Sequence, residues 1–168
     1  LASLWRLPVV FIVENNKVAM GTQVERASAE RELERRGSGY NMPYRAFDGN
    51  DLDEVIEVVG DAAERARKGE GPTYLVANTY RFRGHSMSDA MKYRSKEELE
   101  RARLRDPIIL YEQRLLQQGI ITTRDSEEME SEVRQIVDEA VKFADTSPHP
   151  EPEELYTDIL SEKYPLHK

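Results

Sequence analysis

The chain has 168 residues, enough for one domain that buries roughly two-thirds of its unfolded surface. Its 24 Lys and Arg residues are outnumbered by 32 Asp and Glu, and the net charge of -8 argues against a nucleic-acid binder but permits a local phosphate pocket. The lack of cysteine excludes a disulfide framework and a cysteine-ligated zinc. The longest apolar run, residues 9–13, is too short to cross a membrane, so we expect a soluble protein.

The first predicted element is a short strand that runs directly into two asparagines. Residues 9–13 are apolar and mostly β-branched, and they lie between Pro8 and Glu14. This pattern is typical of a strand buried on both faces of a parallel sheet. Asn15 and Asn16 follow at once. Because open α/β sheets bind ligands at the carboxyl ends of their strands, neutral oxygen ligands are expected at this position.

The following segment is polar and its local signals are weak. Residues 27–36 permit a helix, and the run Gly37-Ser38-Gly39 is expected to break it.

Residues 44–77 predict a strand, a helix and a second strand. Residues 44–47 suit a short strand, and Asp51 with Glu54 suits the start of an amphipathic helix. Residues 73–77 suit the next strand. Strands joined through a helix run parallel, so the expected fold class is α/β, a parallel sheet with flanking helices.

The chain then changes character. Residues 80–94 form a predicted loop with many functional side chains and no apolar period. A helical tail follows, with a capping signal at Ser95 and a long amphipathic helix over residues 129–144. We therefore divide the chain into an α/β part, residues 1–94, and a helical extension, residues 95–168, which packs on the same domain or on a partner subunit.

The asparagines permit two interpretations. A magnesium ion that bridges a diphosphate needs near-octahedral oxygen donors, and Asn16 offers an amide oxygen while Val18 offers a backbone carbonyl. Neither donor is charged, so a carboxylate is required from elsewhere and is expected upstream of Leu1. The simpler interpretation is that Asn15 and Asn16 only cap and turn the chain, and the residues alone favour it.

The loop contains a candidate catalytic residue, His85. Its imidazole can donate to a phosphate or to a developing oxyanion, and Arg81 and Arg83 add further donors. Gly84 would let the backbone approach a ligand closely. The alternative is a solvated loop whose basic residues face water or pair with Asp89.

The chain resembles the alpha subunits of the thiamine-diphosphate-dependent 2-oxoacid dehydrogenases in two blocks, LPVVFIVENNKVAMGTQVER and TYRFRGHSMSDAMKYRSKEE. DGNDLDEV, KGEGPTYL and RDPI extend the resemblance over most of residues 1–110. In that family the cofactor motif runs from Gly-Asp-Gly to a terminal Asn-Asn. Only the terminal pair is present here, so the resemblance implies a thiamine-diphosphate-binding fold that is incomplete at its N-terminus, with the missing aspartate upstream.

The resemblance also implies roles for individual residues. Asn16 and the carbonyl of Val18 would bind Mg²⁺, and both would bind thiamine diphosphate together with His85, the catalytic residue. Ser86 matches a serine that is phosphorylated in mitochondrial relatives, which makes it a possible regulatory site. Lys92 and Gln23 stand at two other regulated positions, which favours a cytoplasmic bacterial protein over one of the mitochondrial matrix.

The implied activity is the decarboxylation of pyruvate on thiamine diphosphate and the transfer of the acetyl group to a lipoyl carrier. The implied partners are a beta subunit, in an α2β2 heterotetramer, and the lipoyl-bearing acyltransferase of the complex. The loop resembles the pyruvate-specific branch more than the branched-chain or acetoin branches, which stay open as alternatives. A third alternative is a non-catalytic interaction fragment whose acidic helices bind a partner. The 168 residues alone are expected to be inactive.

Overall fold

The computed structural model describes residues 1–158. The chain forms two compact units, residues 1–117 and residues 118–168. The division after residue 94 stays a prediction, and the end of the predicted helical extension, residues 159–168, lies outside the described residues.

Strands and helices alternate through the first unit, which confirms the α/β class. Its strands are β1 (Val10–Asn15), β2 (Val18–Ala19), β3 (Thr22–Gln23), β4 (Tyr44–Asp48) and β5 (Thr73–Asn78). Strands β1, β5 and β4 form a parallel sheet in that order, while β2 pairs antiparallel with β3. The parallel sheet was predicted, but β1 and β5 extend one or two residues further than expected and include Asn15 and Asn78.

The helices of the first unit are α1 (Val24–Ala27), α2 (Leu52–Arg67), α3 (Lys96–Arg103) and α4 (Pro107–Gln117), with a 3₁₀ helix at Leu33–Tyr40. Helix α2 connects β4 to β5, and the side chain of Asp51 accepts hydrogen bonds from the backbone N–H groups of Asp53 and Glu54. This confirms the predicted cap. Ser95 likewise accepts from the N–H of Glu98 at the start of α3.

The hydrophobic core lies between α2 and one face of the parallel sheet. Leu75 is 1% exposed, and its fully buried neighbours in the core come from the sheet and from one side of α2. They are Phe47, Val58, Ala62 and Ala77. The apolar residues of α2 therefore face the sheet, as their spacing in the sequence predicts. Their packing holds β4 and β5 side by side.

The 3₁₀ helix at Leu33–Tyr40 contradicts the expected break at Gly37-Ser38-Gly39. Gly37 lies inside this helix and is buried. A β-carbon at Gly37 would lie 2.9 Å from Cβ of Tyr44 and 3.0 Å from Cβ of Tyr74. Glycine is thus present because the helix approaches the sheet closely. Residues 27–36, which permit a helix by sequence, do not form one continuous helix, since residues 28–32 separate α1 from the 3₁₀ helix.

Strand β1 was expected to be buried on both faces, and this is wrong for the described residues. Phe11 is 39% exposed and Ile12 is 47% exposed. Within residues 1–158, β1 pairs with β5 alone and forms an edge of the sheet. Side chains on an edge strand keep a solvent-facing side, which accounts for the exposure.

The second unit contains helix α5 (Thr123–Thr146), which includes the predicted residues 129–144 and begins earlier. Its start is a capping box between Thr122 and Asp125, a signal that the apolar period does not show. A second 3₁₀ helix covers Pro152–Tyr156. Among the helices of residues 1–158, none combines the length and the apolar composition needed to cross a bilayer.

Candidate functional site

The carboxyl ends of the three parallel strands carry a row of polar residues. Strand register places Asn15 beside Asn78, and Asn78 beside Asp48. Residues paired in register point to the same face of a sheet, so these three side chains share one face. Open α/β sheets bind ligands at this end of their strands. The expected ligand edge is therefore polar across the whole sheet.

Asn15 turns the chain after β1. Its side-chain oxygen accepts a hydrogen bond of 3.1 Å from the backbone N–H of Lys17, and Lys17 adopts a left-handed φ of 63°. Its amide nitrogen donates to Oδ1 of Asn78 at 3.0 Å, and Nζ of Lys17 donates to the same oxygen. For Asn15 the simpler interpretation, a residue that caps and turns the chain, is correct.

Asn16 has a different environment. Its Oδ1 atom accepts a hydrogen bond of 3.1 Å from the hydroxyl of Thr79, the residue that follows β5. The backbone N–H of Thr79 donates to the carbonyl of Asn15 at 3.1 Å, which ties the two strand ends together. Val18 opens β2 two residues later and pairs with Gln23. Of the two predicted magnesium ligands, Asn16 thus lies in the turn after β1 and Val18 is the first residue of the β2–β3 hairpin.

His85 lies in a loop that is organised around one carboxylate, that of Asp89. Oδ2 of Asp89 accepts from the backbone N–H of His85 and from the hydroxyl of Tyr93, each at 2.7 Å. Oδ1 accepts from the N–H of Met91 at 2.9 Å. The hydrogen bond from His85, with those from Tyr93 and Met91, lowers the pKa of Asp89 to about 2. Asp89 is therefore ionised at neutral pH.

Gly84 makes room for this carboxylate. A β-carbon at Gly84 would lie 2.9 Å from both Cβ and the backbone oxygen of Asp89. Gly84 was expected to let the backbone approach a ligand, and the structure instead shows it against Asp89. The side chains of His85 and Ser86 are exposed, and the hydroxyl of Ser86 lies 3.0 Å from that of Ser88.

The two ends of the loop are joined by arginine contacts. The guanidinium of Arg94 lies 4.5 Å above the ring of Tyr80, and it donates to the backbone oxygen of Arg81. Arg81 in turn donates to the hydroxyl of Tyr93 at 3.1 Å. Arg94 and Arg81 thus contact the aromatic rings and the backbone of the loop. The hydroxyl of Tyr93, which accepts from Arg81, donates in turn to Asp89.

The turn of the β2–β3 hairpin contacts the loop. A β-carbon at Gly21 would lie 3.3 Å from Cδ1 of Tyr93, and the hydroxyl of Tyr93 binds the carboxylate that holds the N–H of His85. The hairpin that follows Asn16 and the loop that contains His85 are thus adjacent at one edge of the sheet. This contact joins the two sequence blocks.

The sequence interpretation missed Asn78, Thr79 and Tyr93, and it missed the hydrogen bonds of Asp89 to the loop backbone. Asn78 and Thr79 follow an apolar strand directly, as Asn15 and Asn16 do, and the same rule would have selected them. Asp89 and Tyr93 carry no comparable local signal, because their contacts depend on the path of the loop.

Two cavities lie at opposite ends of the sheet. One of about 400 Å³ lies at the carboxyl ends of the strands, and its lining includes Lys17, Asp48 and Thr79. A larger one of about 790 Å³ is lined by Pro43 and Pro72, just before β4 and β5. We assign function to the carboxyl edge, because polar side chains converge there and ligands of α/β sheets bind there.

Within residues 1–158, no group of three or more His, Cys, Asp or Glu side chains is placed to hold a metal ion. The two predicted ligand atoms, Oδ1 of Asn16 and the carbonyl oxygen of Val18, are both neutral. Neutral oxygens suit a hard cation such as Mg²⁺, which takes its remaining ligands from phosphate oxygens, water and one or two carboxylates. The donor chemistry therefore fits part of a magnesium diphosphate site.

A parallel α/β sheet with polar side chains at its carboxyl edge is the class of fold that binds ligands at that edge. Residues 1–153 match the family model described as Dehydrogenase E1 component. The chain belongs to this family, which is thiamine-diphosphate dependent.

Three curated relatives show the extent of the similarity. The pyruvate dehydrogenase E1 component subunit alpha of Rhizobium meliloti is 46% identical over 161 residues, which is 95% of this chain and 46% of the relative. The subunit of the same name from Rickettsia felis is 44% identical, over 95% of this chain and 49% of the relative. The chloroplastic subunit alpha-3 of rice is 40% identical, over 96% of this chain and 38% of the relative. The chain spans about half the length, or less, of these relatives.

Proposed function

We propose that this chain is the C-terminal part of the alpha subunit of a pyruvate dehydrogenase, which decarboxylates pyruvate and passes the acetyl group to a lipoyl carrier. Relatives of that name, 40–46% identical over nearly all of this chain, support the substrate. The observation that carries the assignment is the contact between the hairpin after Asn16 and the loop of His85, through Gly21 and Tyr93. The relatives from Rhizobium and Rickettsia support a bacterial protein, and we place it in the cytoplasm as part of this proposal.

The residues that would hold the cofactor are Asn16 and Val18. Oδ1 of Asn16 and the carbonyl oxygen of Val18 would bind Mg²⁺, and the cation would bind the diphosphate. A carboxylate from the part of the alpha subunit outside this chain would complete the ligands. Thiamine diphosphate, when bound, supplies the carbanion and the electron sink for decarboxylation.

His85 is the residue proposed to act on the reacting groups. Its backbone is fixed by the hydrogen bond to Asp89, while its imidazole is exposed on the loop. An imidazole N–H in this position can donate a proton to a diphosphate oxygen or to the oxygen of the substrate carbonyl. The loop and a partner beta subunit would together exclude water, with an α2β2 heterotetramer as the active assembly and the lipoyl-bearing acyltransferase as the acceptor.

Ser86 is a proposed regulatory position. A phosphate there would add roughly 1.5 to 2 negative charges next to His85. This charge would repel a bound diphosphate and would reorganise the loop around Asp89.

The experiment uses the full-length alpha subunit in complex with its beta subunit. Binding of thiamine diphosphate is titrated in the presence of Mg²⁺, and turnover is measured with pyruvate, a branched-chain 2-oxoacid and acetoin. Asn16→Ala is expected to weaken binding at least tenfold, as loss of a metal ligand does, and His85→Ala to lower turnover of pyruvate by roughly 10²-fold or more.

The matched control is His149→Ala, which removes an exposed imidazole from the second unit and is expected to leave both quantities unchanged. Unaltered binding in Asn16→Ala together with unaltered turnover in His85→Ala would reject the proposed function. Faster turnover of a branched-chain acid or acetoin would replace the substrate while keeping the site.

A further inference from the structure

We propose that Thr79 is a positioning residue for the magnesium site, and that Gly49 holds Thr79 in place. The inference rests on the proposed function, because it assigns how the ligand Asn16 is oriented. Its basis is a chain of contacts in which Gly49 meets the methyl group of Thr79 and the hydroxyl of Thr79 meets Asn16.

The hydroxyl of Thr79 acts on the oxygen that would bind the cation. It donates to Oδ1 of Asn16 at 3.1 Å. An amide oxygen has two lone pairs, so one hydrogen bond leaves the second lone pair for a metal ion. The terminal torsion of an asparagine is broad and roughly two-fold, and a partner on the oxygen narrows it. The ligand is therefore oriented by the protein before a cation arrives.

The side chain of Thr79 is itself restrained. Its backbone N–H donates to the carbonyl of Asn15 at 3.1 Å, which fixes its position relative to β1. A β-carbon at Gly49 would lie 2.6 Å from Cγ2 of Thr79, so the methyl group occupies the space that any other residue at position 49 would fill. Branching at the β-carbon also restricts χ1 of Thr79. With the methyl group against Gly49, the hydroxyl points to Asn16.

Gly49 is a glycine for reasons of space. The glycines with a left-handed φ among the described residues are Gly69, Gly71 and Gly119, and Gly49 is not one of them. The N–H of Gly49 donates to the carbonyl of Asn78 at 2.9 Å. This hydrogen bond brings the turn that follows β4 close to Thr79. Thr79 thus contacts Gly49, in the turn after β4, with its methyl group and Asn16 with its hydroxyl.

The primary test compares Thr79→Val with Thr79→Ser in the full-length alpha-beta complex. Valine keeps the shape and removes the hydroxyl, whereas serine keeps the hydroxyl. The measured quantity is the Mg²⁺ concentration that gives half-maximal binding of thiamine diphosphate, followed by calorimetry. Loss of a residue that orients a metal ligand costs roughly tenfold in metal affinity, so Thr79→Val should raise this concentration about tenfold. Thr79→Ser should stay within about threefold of the wild type, since one neutral hydrogen bond is preserved.

The matched control is the first residue of β5, the strand that Thr79 follows. Thr73 is 6% exposed, and in residues 1–158 its hydroxyl has no hydrogen-bond partner. Thr73→Val makes the same chemical change at the other end of β5, and the Mg²⁺ requirement should not change. Thermal melting without cofactor should give similar Tm values for Thr79→Val and the wild type.

A second pair of variants tests the role of Gly49. Gly49→Ala places a methyl group against Cγ2 of Thr79 and should raise the Mg²⁺ requirement. Serine lacks Cγ2, so the double variant Gly49→Ala/Thr79→Ser should recover part of the loss. Recovery is incomplete because the new β-carbon would also lie 3.1 Å from Cβ of Ala77.

The outcomes separate this inference from the proposed function. An unchanged Mg²⁺ requirement in Thr79→Val, with a large loss in Asn16→Ala, overturns the role of Thr79 and leaves the site intact. No loss in Asn16→Ala rejects the site itself. A lower Tm in Thr79→Val with an unchanged Mg²⁺ requirement assigns a structural role and also overturns the inference. Should Thr79→Val fail to fold, absence of recovery in the Gly49→Ala/Thr79→Ser variant overturns it.

Discussion

The edge of the sheet holds two regions of opposite construction, the strand-end cluster (Asn15, Asn16, Lys17, Asn78 and Thr79) and the histidine loop (residues 80–94). The strand-end cluster is fixed by the register of β1 and β5, and Asn15 in it is buried. The histidine loop is exposed over His85 and Ser86 and depends on one ionised carboxylate. The proposed ligand Asn16 is therefore tied to the ends of two paired strands through Thr79, while the proposed catalytic His85 lies on an exposed loop.

The largest expected effect comes from breaking the strand-end cluster with Asn78→Leu. This change leaves the amide of Asn15 and the ammonium of Lys17 without their common acceptor. An unsatisfied buried polar group costs about 1–3 kcal/mol, which lowers the Tm of the full-length protein by several degrees. The isosteric variant Asn78→Asp keeps the acceptor oxygen. Equal Tm values for the two variants would contradict the account of this cluster.

A smaller and local effect is expected from Asp89→Asn in the histidine loop. Asparagine keeps one acceptor oxygen and loses the charge, so the N–H of His85 and the hydroxyl of Tyr93 can no longer share a carboxylate oxygen. Tryptic cleavage at Arg81, Arg83, Lys92 and Arg94 should quicken several-fold, because charge-assisted hydrogen bonds are the stronger ones.

The control for this change is Ser88→Ala, whose hydroxyl meets only that of Ser86 among the contacts described for it. The Tm should not move in either variant, since the loop adds little to the core. Two results would contradict the difference between the two regions. One is a wild-type cleavage rate in Asp89→Asn, and the other is a loss of Tm in that variant as large as in Asn78→Leu.

The smallest effect is expected from pH. The pKa of Asp89 is lowered from 3.8 to about 2 in the folded loop. A lowered folded-state pKa contributes order that is complete above the unfolded value and is lost as pH falls through the folded value. The histidine loop should therefore keep its protection from pH 7 to about 4 and lose it toward about 2.

Hydrogen exchange of peptides from residues 80–94, normalised to the rate of the unstructured peptide, measures this dependence. In Asp89→Asn, the normalised exchange rate of these peptides should not rise between about pH 4 and about pH 2. A wild-type loop that instead loosens between pH 7 and 5 would contradict the role given to Asp89.

The sequence predicted what is local. Asp51 caps α2, and the apolar spacing of that helix places it on the sheet, because both signals lie within a few residues. The prediction failed where contacts join distant segments. Gly37 was taken for a break because its neighbours Tyr44 and Tyr74 are remote in sequence, and β1 looked buried because its composition does not show which strands flank it.

The candidate site divides in the same way. Asn16 was selected by its place after a strand, whereas its partner Thr79 needed the register of β1 and β5. Pairing of Asp89 with basic side chains was one alternative for the loop, and its hydrogen bonds come from two backbone N–H groups and a tyrosine hydroxyl. Hydrogen bonds between individual side chains leave no repeating pattern in the sequence, so the sequence does not predict them.

The central claim is that Asn16 of the strand-end cluster and the carbonyl of Val18 bind a magnesium diphosphate, and that His85 reaches the same ligand. A structure of the full-length alpha-beta complex with thiamine diphosphate and Mg²⁺ tests it most directly. The account predicts Oδ1 of Asn16 and the carbonyl oxygen of Val18 at about 2.0–2.1 Å from the cation, with the imidazole of His85 in hydrogen-bond reach of the cofactor. A cation bound by other residues, or His85 directed away from the cofactor, would contradict it.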